Sequence, residues 1–433
     1  MQNLLAQPLK LPCGVVLSNR IAKAAMTEGL ADEYHCATDR HERLYRGWSQ
    51  GGAGLLLTGN VQVDRSHLER PGNLVIDNNG GLEALKAYAR AGTEAGNHLW
   101  MQINHPGRQT PGELNGAPLA PSAIPLRMAG DKFAPPRAMT EAQILDVIRR
   151  WAHVARTARE AGFTGVQIHA AHGYLLSQFL SPLSNQRTDA WGGSLENRAR
   201  ALLEVYRAIR KATGPDFPIS VKMNSADFQK GGFDSDECLH VVRWLHEAGV
   251  DLLEISGGNY EQLQMLGSGE GEGTDGSVVR ESTRKREAYF LEFAQKIRPV
   301  CDIPLMITGG FRSRAAMTAA LESGGLDVVG LGRPLCVDQD LPRKLLDGSV
   351  EMSPAHERNL KLDPAVVPDV SDQATRDLIE AFGGLGWYCL QLIYLGHGKS
   401  VDTQMSVYEA FVRYQENEAT TLAQLRDWKP VAA

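Results

Sequence analysis

From Thr140 to Leu331, helical and strand patterns alternate without a break, and that alternation does most to narrow the fold. Thr140 is placed to cap a helix over Glu141–Ala161, whose apolar residues Ile144, Val147, Ile148, Trp151, Val154 and Ala155 form one stripe. Gly162 ends that helix, and Gly165–His169 reads as a buried strand. The same cycle predicts helices at Leu195–Thr213, Asp236–Ala248, Arg284–Arg298 and Ser313–Ser323. They are followed in turn by strands at Pro218–Met223, Val250–Ile255, Ile303–Thr308 and Leu326–Leu331. The strands are continuous apolar runs, as parallel strands buried on both faces are. The helices between them are the crossovers that parallel pairing needs.

The first half of the chain supplies three more strands, at Asn19–Met26, Gly54–Gly59 and His98–Ile103, with helices near Thr38–Gln50 and Gly81–Ala95. Three and five make eight, which points to a closed eight-stranded parallel β/α (TIM) barrel of the α/β class. An open doubly wound sheet would need a Gly-x-Gly-x-x-Gly turn after its first strand, and none is there. Two stretches exceed a minimal barrel. Asn104–Ala138 is long and rich in Pro and Gly, and reads as a substrate-side loop. Ser353–Ala433 has helical patterns at Gln373–Phe382 and Ser406–Tyr414 and no strand signal. The predicted organisation is a barrel over 1–352 and a helical C-terminal extension over 353–433. The extension holds the aromatics Trp387, Tyr388, Tyr394 and Tyr408, which suit either a subunit contact, a cover for the pocket, or packing on the outer helices.

Composition excludes several classes. The 433 residues carry a net charge of −6 with no clustered Lys or Arg, so neither nucleic acid nor an anionic membrane is an expected partner. No apolar run approaches the ~18–20 residues needed to cross a bilayer. The most apolar late stretch, Gly383–Gly396, is short and Gly-rich. Met1–Pro12 does not read as a secretory signal. The six cysteines are scattered singly, without a Cys-x-x-Cys pair, which disfavours a zinc ribbon or iron–sulfur cluster and fits a reducing, cytoplasmic location.

Barrel active sites are built at the C-terminal strand ends. The fourth strand ends in His169-Ala-Ala-His172-Gly-Tyr174. Zinc is the weaker reading of the two histidines, because metal-binding helices space such a pair by four with an acid between them. The alternative is two hydrogen-bond donors aimed at one substrate oxygen beside a phenol that can deliver a proton. Gln102 ends the third strand as a polar cap or a cofactor contact. Lys222 sits inside an apolar strand and needs an anionic partner, either a carboxylate or an electron-rich ring. Thr308-Gly309-Gly310 and Gly330-Leu331-Gly332-Arg333 end the last two strands, the usual place for a phosphate in barrels.

The segment from Gln167 to Arg198, QIHAAHGYLLSQFLSPLSNQRTDAWGGSLENR, resembles the signature block of the Old Yellow Enzyme family of NADH:flavin oxidoreductases. Asn19-Arg-Ile, His105-Pro-Gly-Arg108 and Leu331-Gly-Arg333 are weaker matches, and the resemblance spans about residues 3 to 345. It implies non-covalent FMN, NADH or NADPH as electron donor, and an electrophilic alkene such as an enone as substrate. Ala25, Met26 and Thr27 would line the flavin, and Asn60 and Gln102 would meet its pyrimidine part. Lys222 would face the N1/C2 edge, and Gly310, Gly332 and Arg333 would hold the phosphate. His169 and His172 would bind the substrate oxygen and Tyr174 would donate the proton. The chain departs from the family pattern where Lys222 replaces the usual Arg and where Glu28-Gly29 stands in place of a Tyr over the substrate. It has no cysteine cluster after the barrel. Two alternatives stay open: the same fold acting mainly as a quinone or nitro reductase or an NADH oxidase, and a flavin-free barrel for a phosphate ligand. A homo-oligomer is compatible with either.

Overall fold

Eight parallel strands close on themselves in the computed structural model, which describes residues 3–126, 132–256, 293, 295–363 and 372–425. They are β1 (Ile21–Lys23), β2 (Leu55–Gln62), β3 (His98–Asn104), β4 (Gly165–Ala170), β5 (Ile219–Asn224), β6 (Leu252–Ser256), β7 (Leu305–Thr308) and β8 (Val328–Leu331). Each pairs with its sequence neighbour, and β8 returns to β1 through Val329↔Ile21. The strand at Leu74–Val75 adds to the end of β2 outside the ring. The crossovers are α1 (Asp39–Gln50), α2 (Leu82–Gly92), α3 (Glu141–Ala161), α5 (Leu195–Thr213), α6 (Ser235–Ala248) and α7 (Arg314–Glu322), with a short α4 (Leu175–Leu180) inserted after β4. Most of the helix expected at Arg284–Arg298 lies outside the described residues.

Local sequence explains the element ends. Thr140 accepts from the Gln143 N–H in a capping box, and Gly162 ends α3 in the left-handed region at φ 97°. The first strand is shorter than expected. Ala24 N–H still bonds the Leu331 carbonyl, but beyond it the chain leaves the ladder and becomes rim. The barrel floor is a plug that the sequence reading missed. An antiparallel pair, Leu9–Lys10 with Val16–Leu17, brings Leu9, Leu11 and Leu17 against Ala22, Leu55, Leu57, Trp100, Leu252, Met306 and Val328. Trp100 fits inside because its register partner is Gly165, where a Cβ would lie 2.5 Å from the indole.

Lys23 points outward beneath α1 and is fully buried. Its Nζ donates to the Leu57 carbonyl at 2.6 Å and lies 4.4 Å from the Trp48 ring. Burial pulls its pKa down to about 8, against the opposing charge of Glu28. Between about pH 8 and pH 10.5 the unfolded chain therefore holds a proton that the folded chain has released, so stability rises with pH across that window. Lys23→Met should remove this slope. The stability difference between variant and wild type should change by on the order of 3 kcal/mol across the window. Urea titrations at several pH values read it, and parallel curves for the two proteins would refute the assignment.

The extension is helical: α8 (Leu341–Asp347) ends the barrel, then α9 (Gln373–Gly396) and α10 (Val407–Gln424) form an antiparallel pair. The structure corrects the reading of a short apolar run at Gly383–Gly396. That run continues the preceding helical pattern, and Thr375–Gly396 is long and apolar enough to cross a membrane, at a mean hydropathy of 1.3. Half of that stretch is buried inside the protein. Its glycines serve packing: a Cβ on Gly383 would lie 2.4 Å from the Val407 carbonyl, and one on Gly386 2.8 Å from Tyr414. Trp387 and Tyr388 are buried, whereas Tyr408 is exposed.

Candidate active site

Strand register assembles a buried polar layer inside the barrel. Gln102 pairs with Gln167 and Lys222 with Glu254 across neighbouring strands, and same-face residues then meet. Gln102 Nε2 donates to Gln167 Oε1 at 2.6 Å, and Gln167 Nε2 donates to Glu254 Oε2 at 2.9 Å and Ser220 Oγ at 3.1 Å. Lys222 Nζ lies 2.9 Å from Glu254 Oε1, which also accepts from Thr308 Oγ1 at 2.7 Å. Of the two partners open for Lys222, the described residues supply the carboxylate. Glu254 belongs to no motif. The available signal was a lone acid in one buried strand and a lone lysine in the strand before it.

One pleat above Gln167, His169 projects toward the mouth, and β4 ends just beyond it. The rings of His169 and His172 meet edge to face at 5.1 Å, and those of His169 and Tyr174 at 4.9 Å. Burial holds both imidazoles well below their usual pKa, helped by the Lys222 charge, so both are neutral at pH 7. His169 Nδ1 accepts from the Ala171 N–H at 3.2 Å, which puts its proton on Nε2 and makes Nε2 a donor. His172 Nε2 lies 2.6 Å from Ser256 Oγ. Its backbone is left-handed at φ 62° and is held by Asn224 Oδ1, which accepts its N–H, and by Gln109 Nε2, which donates to its carbonyl.

Ala25, Met26 and Thr27 are half-buried where the chain leaves β1. Asn60 N–H faces Thr27 Oγ1 at 3.5 Å, and Asn60 Nδ2 donates to Glu69, on the loop after β2. Tyr174 OH donates to the same Glu69 oxygen at 3.2 Å. Burial pushes the Glu69 carboxyl pKa up, opposed by hydrogen bonds from Thr27, Asn60 and Tyr174 and by the Arg70 charge. Sequence reasoning missed Glu69, which stands in a polar loop with no pattern of its own. Glu28 turns away from the mouth: its carboxylate accepts from the Tyr45 hydroxyl and the Gly59 N–H beneath α1.

At the ends of β7 and β8, Gly309 and Gly310 are left-handed at φ 117° and 84°, and a Cβ on Gly309 would meet nothing within 4 Å. Gly332 and Arg333 are half-buried beside them. The Arg333 guanidinium leans toward the extension, 3.8 Å from Glu357. Arg312 also bonds Glu357, and Tyr388 OH donates to it at 2.6 Å. Burial alone would raise Glu357, but Arg333 and Arg312 bring its pKa down to about 2.

Much of the long signature block is structural. Gln178 Nε2 donates to the carbonyls of Pro106 and Gly173, and its Oε1 accepts the Arg108 N–H, bolting the His105-Pro-Gly-Arg108 turn to the end of β4. Asn185 donates to the carbonyls of Phe179 and Trp191, and Arg187 to that of Pro121. Among the described residues, the one group with metal-ligand geometry is Asp64, His67 and His105, not His169 and His172. There His67 Nε2 accepts the Leu119 N–H at 2.9 Å while Nδ1 faces Asp64, so the proton sits on Nδ1 and His67 itself has no lone pair left for a cation.

A family model described as the NADH:flavin oxidoreductase / NADH oxidase family matches residues 4–351. The chain belongs to this family. It is 38% identical over 365 residues to the NADH-dependent flavin oxidoreductase iliE of Neonectria sp., covering 78% of this chain but 46% of that protein. It is 36% identical over 394 residues to the NADH-dependent flavin oxidoreductase nadA of Aspergillus parasiticus, covering 88% of this chain and 82% of the relative. The Old Yellow Enzyme homologue of Zymomonas mobilis superposes with a TM-score of 0.67 at 26% identity, over 84% of this chain and 98% of that one. Flavin oxidoreductase membership and the closed barrel thus stand together, and the match to the family model stops just short of the extension.

Proposed function

We propose that this flavin oxidoreductase uses FMN and NADH or NADPH to reduce activated carbon–carbon double bonds, such as those of enones. The observation that carries the reading is the neutral His169–His172 pair set edge-on beside Tyr174 at the end of β4. A neutral imidazole with its proton on Nε2 polarises a carbonyl oxygen without adding a charge, and a neighbouring phenol can then protonate the α-carbon.

The residues suit FMN. Asn60 Oδ1 is buried without a hydrogen-bond partner among the described residues, an acceptor for a ring N–H. Gln102 and Lys222 lie in the adjoining polar layer, although the Lys222 charge is shared with Glu254. Gly310, Gly332 and Arg333 would hold the phosphate, and Ala25, Met26 and Thr27 would flank the ring. When bound, FMN supplies the hydride chemistry, taking two electrons from the nicotinamide and passing them to the alkene. The chain's own residues do the rest. His169 and His172 orient the substrate oxygen, Ser256 fixes the His172 ring, and Tyr174 holds the proton destined for the α-carbon.

The test is anaerobic. Enzyme reduced with NADH or NADPH should be reoxidised by 2-cyclohexenone with formation of the saturated ketone. Turnover with quinones, nitro compounds or dioxygen but not with enones would favour those acceptors instead. Arg333→Ala should weaken FMN binding more than Thr27→Ala, because a charge-assisted bond is about twice as strong as a neutral one. Flavin fluorescence titrations of the apoprotein measure both, and equal affinities would move the phosphate elsewhere.

A further inference from the structure

We propose that Glu69 is the proton relay behind Tyr174, passing a proton to the phenol as the phenol gives its own to the substrate, and that the C-terminal extension holds it there. The inference rests on the ene-reductase reading and names a residue that reading does not contain.

Glu69 touches groups from three strand ends at once. Its Oε2 accepts from Tyr174 OH at 3.2 Å and from Asn60 Nδ2, and its carboxylate also bonds Thr27. It is only half-buried, so its side chain is within reach of solvent protons. The loop that carries it is tied down by hydrogen bonds. The N–H groups of Glu69 and Arg70 both donate to Asn73 Oδ1, at 2.9 and 3.1 Å. Arg70 reaches the extension, where Nη2 pairs with Glu418 of α10 at 2.7 Å, Nη1 donates to Cys389 Sγ at 3.5 Å, and the guanidinium lies 4.9 Å from the Tyr414 ring. A Cβ on Gly29 would sit 2.7 Å from Arg70 Nη2. The space that a larger residue at position 29 would take is therefore filled by this loop, and the carboxylate arrives with it.

The step balances without an added reactant. Tyr174 gives its hydroxyl proton to the α-carbon and a C–H bond forms, which leaves its oxygen short of a proton. In the same step protonated Glu69, now the donor in its hydrogen bond with Tyr174, passes its proton to the phenol oxygen and becomes a carboxylate, which water reprotonates. The charged and titratable neighbours are few. Arg70 is matched by Glu418, and His169 and His172 are neutral. An ionised Glu69 has no proton to give and opposes the phenolate that would then form, so the enone step should slow as pH rises through the Glu69 pKa.

The experiment follows reoxidation of the reduced holoenzyme by stopped flow, with 2-cyclohexenone and with 1,4-benzoquinone, which takes its protons from solvent. Glu69→Gln should slow the enone step about tenfold or more and flatten its pH profile. The benzoquinone step should suffer several-fold less, and Glu69→Asp should restore part of the enone rate. On a Tyr174→Phe background, Glu69→Gln should add less than about twofold, since both act on one proton. Equal losses with both acceptors, an unchanged pH profile, or additive effects with Tyr174→Phe would overturn the relay. If the wild type reduces benzoquinone but no enone, the ene-reductase reading fails and Glu69 is judged by the phenol itself. Glu69→Gln should then shift the Tyr174 titration, read as the absorbance difference from Tyr174→Phe, and an unmoved titration removes the relay as well.

Discussion

Glu254→Ala should destabilise the folded protein by about 3–5 kcal/mol, the cost of breaking a buried ion pair from one side. Glu254 has no solvent exposure, and Lys222 is nearly as buried. Removing the carboxylate leaves the Lys222 ammonium and the Gln167 and Thr308 donors facing one another with no acceptor. Glu254→Gln keeps the shape and one acceptor oxygen, so it should cost less. The double variant Lys222→Met/Glu254→Leu should recover much of the loss, because neither charge is then stranded. Urea midpoints measured on the flavin-free chain read all three, and a Glu254→Ala midpoint within error of wild type would show that the pair carries no net stability.

Tyr174→Phe should slow enone reduction by on the order of 10²–10⁴, the usual cost of losing a placed general acid. Flavin reduction by the nicotinamide should change little, because that half-reaction needs no proton from the phenol. The phenyl ring remains, so its edge contact with His169 and its burial persist. Quinones and nitro compounds should be affected less than enones, since their protons can come from solvent. Flavin absorbance separates the two half-reactions. A variant that slows both alike, or neither, would leave Tyr174 a structural residue held by Glu69.

The periodicity of the chain was enough to determine the barrel. Buried parallel strands must be apolar throughout and joined by amphipathic helices, and both signals are local. Helix ends were equally legible, as at α5, because caps and terminating glycines act within a turn of the residues they affect. His169, His172 and Tyr174 could be named because one strand end carries all three. The tertiary structure decided what depends on neighbours far apart in sequence. The Lys222–Glu254 pair and the Gln102–Gln167 bond arise from strand register, which couples residues tens of positions apart, so each strand shows a polar residue in need of a partner but not which partner it meets. The floor plug at Leu9–Leu17 looked like an ordinary terminus until the barrel closed over it. The Gly-rich run Gly383–Gly396 read as too short to cross a bilayer because it was counted apart from the helical pattern before it. Only close approach to α10 shows why glycine is needed there. Glu69 reached the mouth through a loop whose path is set by Asn73, Arg70 and Glu418. Its carboxylate meets Tyr174 across a separation of 105 residues, a contact that no local pattern encodes.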